Sequence, residues 1–148
     1  MLKQFSQKQA GKLRAGLLTA AIALTFSASA VAQTGVSSVS LSGDAETPAV
    51  TTLARGTGSV SVTEDKKISG TINTTGLVAT VAHIHMGAEG VKGPPIINLV
   101  KTPDGSWIVP GGAVLTDEQY EAYKAGNLYI NVHTAQNMDG EIRGQLKP

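Results

Sequence analysis

Three histidines are the residues of this sequence best suited to chemistry. His83 and His85 are two residues apart in Val81-Ala-His-Ile-His-Met86, and His133 closes the run Leu128-Tyr-Ile-Asn-Val-His133. If both segments are strands, His83 and His85 point to one side of the first, since side chains two apart on a strand share a face. Such a pair offers two imidazole nitrogens to one ion. A third from a neighbouring strand makes a three-imidazole site, suited to copper or zinc, with an open position for water or a substrate. The alternative for the same three residues is a polar sheet face in which they bond to Asn, Glu or backbone groups.

Other side chains bear on that choice. Glu141 and Arg143 are two apart near the C-terminus. Glu141 is the candidate fourth ligand or partner of a histidine; a solvated charge pair with Arg143 is the plainer alternative. Met86 and Met138 are soft candidates for Cu(I), but Met86 has the opposite parity to His85 and is expected in the core. The chain has no cysteine, so any metal must use His, carboxylate, Met or backbone ligands. No Ser-His-Asp order or thiol nucleophile is recognisable. A redox enzyme using copper is the remaining, third reading. Asn73-Thr-Thr75 matches a glycosylation sequon.

The elements that must position the histidines follow from periodicity. Val39–Ser42, Gly58–Thr63 and Ile68–Asn73 alternate apolar and polar, with Glu64–Lys67 as the turn between the last two. Val81–Met86, Ile96–Val100, Trp107–Val109, Leu128–His133 and Glu141–Leu146 complete the strands. Ile130 and Val132 share one face of their strand; Tyr129, Asn131 and His133 share the other. The expected arrangement is an apolar face inward and a polar face, carrying all three histidines, toward water. One helix interrupts the strands over Asp117–Ala125, with Thr116 and Gln119 as a capping box and Gly126 as the stop. Tyr120 and Tyr123 fall on its core side. Gly87–Pro95, rich in glycine and proline, reads as a surface loop that shapes access to the histidines. Short strands and frequent turns predict an all-β, antiparallel sandwich or barrel with one short helix.

The N-terminus reads as a secretory signal over residues 1–32. It has a basic start (Lys3, Lys8, Lys12, Arg14), an apolar stretch over Ala15–Phe26 and the small-residue site Ala30-Val-Ala32. The apolar stretch is shorter than the roughly 20 residues that span a bilayer, so cleavage after Ala32 is expected, leaving no membrane span. Processing also reverses the charge. Four of the 12 basic residues and none of the 11 acids precede Gln33, so residues 33–148 carry 8 bases against 11 acids. A mildly acidic product argues against nucleic acid as a partner. The expected location is periplasmic or secreted. No protein partner or substrate is named by the sequence.

Longer motifs resemble a known family. His83-Ile-His-Met-Gly87-Ala-Glu-Gly90-Val-Lys-Gly93-Pro94, Gly126-Asn-Leu-Tyr129-Ile-Asn131-Val-His133-Thr134 and Gly140-Glu-Ile-Arg143-Gly-Gln145-Leu146 resemble the CHRD domain. Leu41-Ser-Gly43-x-x-Glu46-x-Pro48 is similar to the start of that domain. The domain is named after chordin, where it occurs in several copies, and it also forms single-domain exported bacterial proteins. The resemblance runs from about Val36 to Lys147. It implies one domain over residues 33–148 and an extracellular Greek-key β fold, immunoglobulin-like or barrel-like, and no settled activity. Met138 stands where such domains often carry proline. The His-x-His pair is also similar to the copper-ligand strand of copper-zinc superoxide dismutase, a Greek-key barrel, over a few residues only.

Overall fold

A computed structural model describes residues 35–148. The proposed signal over residues 1–32 lies outside the described residues. Nine strands form one sheet: β1 (Gly35–Ser42), β2 (Arg55–Val62), β3 (Ile68–Thr75), β4 (Ala79–Met86), β5 (Pro95–Asn98), β6 (Val100–Lys101), β7 (Trp107–Ile108), β8 (Leu128–Thr134) and β9 (Ile142–Leu146). The helix α1 (Asp117–Lys124) lies between β7 and β8 in the chain. No helix among the described residues is long and apolar enough to cross a membrane.

The sheet order is β5-β4-β8-β9-β1-β2-β3-β7-β6, antiparallel throughout. Its two ends, β5 and β6, are separated in sequence by Leu99 alone. The chain therefore bridges both edges, and the sheet is a nearly closed barrel, the all-β class expected. Ile96–Val100, expected as one strand, is divided because Leu99 turns its side chain into the core and bonds its N–H to Ala82 O at 2.9 Å.

The alternation predicted for β1, β2 and β3 is present. Val39, Leu41, Val60, Val62, Ile68 and Ile72 are buried, while Ser40, Ser59, Ser69 and Thr71 face water. β2 and β3 pair in full register from Arg55↔Thr75 to Val62↔Ile68, and Thr63 N–H bonds to Lys67 O across the turn. Helix α1 has both bonds of the capping box: Gln119 N–H to Thr116 Oγ1 (3.2 Å) and Thr116 N–H to Gln119 Oε1 (3.0 Å). It ends where Gly126 takes φ +72°, with Asn127 N–H bonded to Ala122 O. Tyr123 is buried and its hydroxyl meets Ser37 Oγ at 3.0 Å; Tyr120 and Met86 pack against the core, as expected.

One expectation fails. The polar face of β8 and β9, with His85 at the end of β4, does not look at water, while His83 is half-buried and Val81 stays exposed. Tyr129, Asn131, His133 and Arg143 are as buried as the apolar side chains beside them, and every residue of β8 is buried. Three segments outside the sheet fold over that face: 43–50, 87–94 and 135–140. Arg143 fastens one of them by donating to Ala88 O (2.7 Å) and Val91 O (3.0 Å), and Gln145 donates to Gly87 O (2.8 Å). Alternation reports which side chains share a face. It does not report what a later loop lays across that face.

Candidate metal centre

The site is set by the pairing of β4 with β8. Across the ladder His83 faces Asn131, His85 faces Tyr129 and Val81 faces His133. His133 is thus the diagonal neighbour of His83, a distance long side chains can bridge. The ligand atoms of His83, His85 and His133 all lie within 4.8 Å of one another. It is the one such group of His, Cys, Asp or Glu among the described residues that could hold a metal ion.

Two of the rings are aimed by backbone carbonyls. His85 Nδ1 donates to Gly93 O at 2.9 Å, and His133 Nδ1 donates to Met138 O at 2.9 Å. A carbonyl can only accept, so each of these nitrogens carries the proton, and in the neutral ring Nε2 carries the lone pair. This is the outer support found behind metal-bound imidazoles. His133 Nε2 lies 3.1 Å from His83 Nδ1. Two nitrogens on one tetrahedral ion, with bonds of about 2.0–2.1 Å, sit about 3.3 Å apart. His85 Nε2 is buried without a hydrogen-bond partner. A buried polar atom left unpaired costs free energy, and a cation is the partner an unprotonated imidazole nitrogen can take.

The charge state agrees. Burial, then the neighbouring His133 and His85, holds the His83 pKa below the usual imidazole value. Burial also lowers that of His85, more than the Gly93 carbonyl bond raises it. Both rings are kept neutral, the form that ligates.

Around the rings stand residues whose role the sequence did not reveal. Tyr129 stacks on His85 with centroids 4.9 Å apart, and the Arg143 guanidinium lies 3.5 Å above the other part of this stack, on the Tyr129 ring. Tyr129 Oη accepts from Gly93 N–H at 3.0 Å, tying the loop carbonyl that aims His85. Glu46 accepts from Asn131 Nδ2 at 2.8 Å. Tyr129, Asn131 and Arg143 share the strand parity of His133, which was visible; Glu46 comes from a distant segment, and only its place in the family motif marked it.

Glu141 is not in the histidine group. Its Oε1 accepts from Thr52 (2.8 Å), and its Oε2 accepts from Thr134 (2.6 Å) and Asn137 (3.2 Å). The Thr134 hydroxyl, first, holds its carboxyl below the usual range. Nor does it pair with Arg143, which donates instead to Ala88 O, Val91 O and Gln145 Oε1. Glu141 braces the 134–140 loop that carries Met138 O to His133. The Met138 side chain is 80 % exposed.

The comparison with curated proteins found no match, nor did that with solved structures. Residues 37–146 match the family described as the CHRD domain, nearly the whole of the described chain. That span contains β4, β8, β9 and all three histidines, and the chain belongs to the CHRD domain family.

Proposed function

We propose that this is an exported CHRD-domain protein that binds a transition metal, copper before zinc, through His83, His85 and His133. The observation that carries the reading is His85 Nε2: a buried, unpartnered lone pair beside two further imidazoles. An all-imidazole set suits both ions, and copper stands above zinc in intrinsic affinity. Glu141 supports the site from the loop behind His133. The basic, apolar and small-residue order of residues 1–32 supports export to the periplasm or the exterior.

A second reading has its own observation. The 3.1 Å contact of His83 Nδ1 with His133 Nε2 also suits an ordinary hydrogen bond, which would make the rings part of a structural or protein-interaction module without metal. Calorimetric titration of the protein with Cu(II), Cu(I) and Zn(II), beside a triple His→Ala variant, separates the two. The metal reading expects a one-to-one complex weakened at least about 100-fold in the variant. It also expects about 2.7 kcal/mol of added stability at a free-metal concentration 100 times Kd. No binding, or binding unchanged in the variant, overturns it.

A further inference from the structure

Three buried side-chain polar atoms lack a hydrogen-bond partner among the described residues: His85 Nε2, Asn131 Oδ1 and Trp107 Nε1. The residues of the first two, His85 and Asn131, line the same cavity, of about 200 Å³. Asn131 is 3 % exposed. Its amide has no freedom to turn, because Nδ2 donates to Glu46 Oε1 at 2.8 Å and a carboxylate there accepts. Oδ1 is thereby fixed as an acceptor with nothing to accept from. The neighbouring loop leaves room for this pair. Gly140 has φ +129°, and a Cβ there would lie 2.3 Å from Asn131 Oδ1 and 2.6 Å from both Asn131 Nδ2 and Glu46 Oε1, so only glycine leaves space beside the amide.

The cations on the cavity wall are already engaged. Arg143 donates to Val91 O, Ala88 O and Gln145 Oε1, and Lys92 pairs with Asp139 at 3.0 Å. Neither donates to Asn131 Oδ1, and a bare anion placed here would meet the Asn131 carbonyl dipole without satisfying it. A small neutral donor would satisfy it.

We infer that this cavity holds a small hydrogen-bond-donating ligand, water in the first instance, and that Asn131 is the positioning residue that accepts from it. The inference rests on the metal reading, since the ligand's own lone pair then faces the ion held beside His85. Asn131 lies directly across the ladder from His83, which puts its amide on the side of the sheet where the three rings meet. The site therefore discriminates by chemistry. Protic ligands gain a bond to Oδ1, and aprotic anions leave that oxygen unpaired, at a cost of about one hydrogen bond.

The test uses the Cu(II)-loaded protein and azide as the aprotic probe, followed by its charge-transfer absorption. Asn131→Leu is expected to tighten azide binding about 5- to 10-fold, because displacing the native ligand no longer breaks a bond to Oδ1. The swapped pair Asn131→Asp with Glu46→Gln restores both the internal bond and an acceptor facing the cavity, now charged, so it should bind azide no more tightly than wild type. Equal azide affinity in wild type and Asn131→Leu overturns the inference. A second measurement needs no variant: Cu(II) electron–nuclear double resonance of the wild-type protein should show strongly coupled exchangeable protons, beyond the weakly coupled imidazole N–H protons, that vanish in heavy water. Their absence overturns it as well. Failure of the wild-type protein to take up Cu(II) is a different result and overturns the metal reading beneath it.

Discussion

The two sides of the barrel are built from similar strands and used in opposite ways. In β1, β2 and β3 one face is apolar and buried and the other, lined by serine and threonine, meets water. In β8, β9 and the Met86 end of β4 the second face is equally regular in sequence, but it is covered, and the cover is held by polar side chains that point outward from the sheet. An exposed serine costs a strand little. A buried arginine, asparagine or tyrosine must be satisfied completely, so each fixes the position of a loop. The histidines sit on the side where the polar residues do structural work, and their aim depends on those loops.

The largest effects should come from deleting one buried residue on each side. Ile72→Ala removes core volume from β3 and should cost about 3 kcal/mol. Arg143→Ala should cost a similar amount, about 3 kcal/mol, because it leaves Ala88 O and Val91 O without their charged donor. Denaturant unfolding measures both. The distinguishing readout is metal affinity of the folded protein: unchanged by Ile72→Ala, and reduced at least about 10-fold by Arg143→Ala, which releases the loop behind His85. An Arg143→Ala protein with full stability and full affinity would break the comparison.

That contrast also explains what was legible in advance. The strands, the capped helix and the shared face of the three histidines followed from local order, because periodicity, cap residues and parity are properties of neighbours in sequence; their convergence depended on the pairing of β4 with β8, which local order does not give. Burial of the polar face was not, because it depends on segments 43–50 and 87–94 returning from elsewhere. Glu141 was misplaced for the same reason. Its parity set it beside Arg143, while Thr52 and Asn137, both outside the strands, engage its carboxylate. Glu46 was identifiable as a motif residue but not as the partner of Asn131, which lies 85 positions away.

A smaller effect sharpens the role of the cover. Tyr129→Phe keeps the stack on His85 and the seat for Arg143 but loses the hydroxyl that binds Gly93. It should cost about 1 kcal/mol. It should also raise hydrogen exchange at the Gly93 amide, which nuclear magnetic resonance can follow. The amides of β2 and β3 should keep their protection. Uniform loss of protection across the barrel would show that the cover is not a separate layer.

The smallest effect concerns sign. Two acids, one on each side, respond oppositely to pH. Asp65, in the exposed turn between β2 and β3, has its pKa lowered to about 2, by the Lys67 ammonium first and the Thr63 hydroxyl second. Its contribution is present above the ordinary value of 3.8 and is lost as pH falls toward about 2. Glu46, under the cover, has its pKa raised above 4.5, chiefly by burial, against the opposing Thr47 and Asn131 hydrogen bonds. The folded state then holds the Glu46 proton more tightly than the unfolded chain does. Its contribution is complete below 4.5 and is lost as pH rises through the folded value. Unfolding midpoints of wild type, Asp65→Asn and Glu46→Gln across acid pH should show this. Relative to Asp65→Asn, wild type loses its advantage as the solution becomes more acidic. Relative to Glu46→Gln, it loses its advantage as the solution becomes less acidic. Two differences of the same sign would mean that burial of the polar face does not set the charge state of its carboxylates.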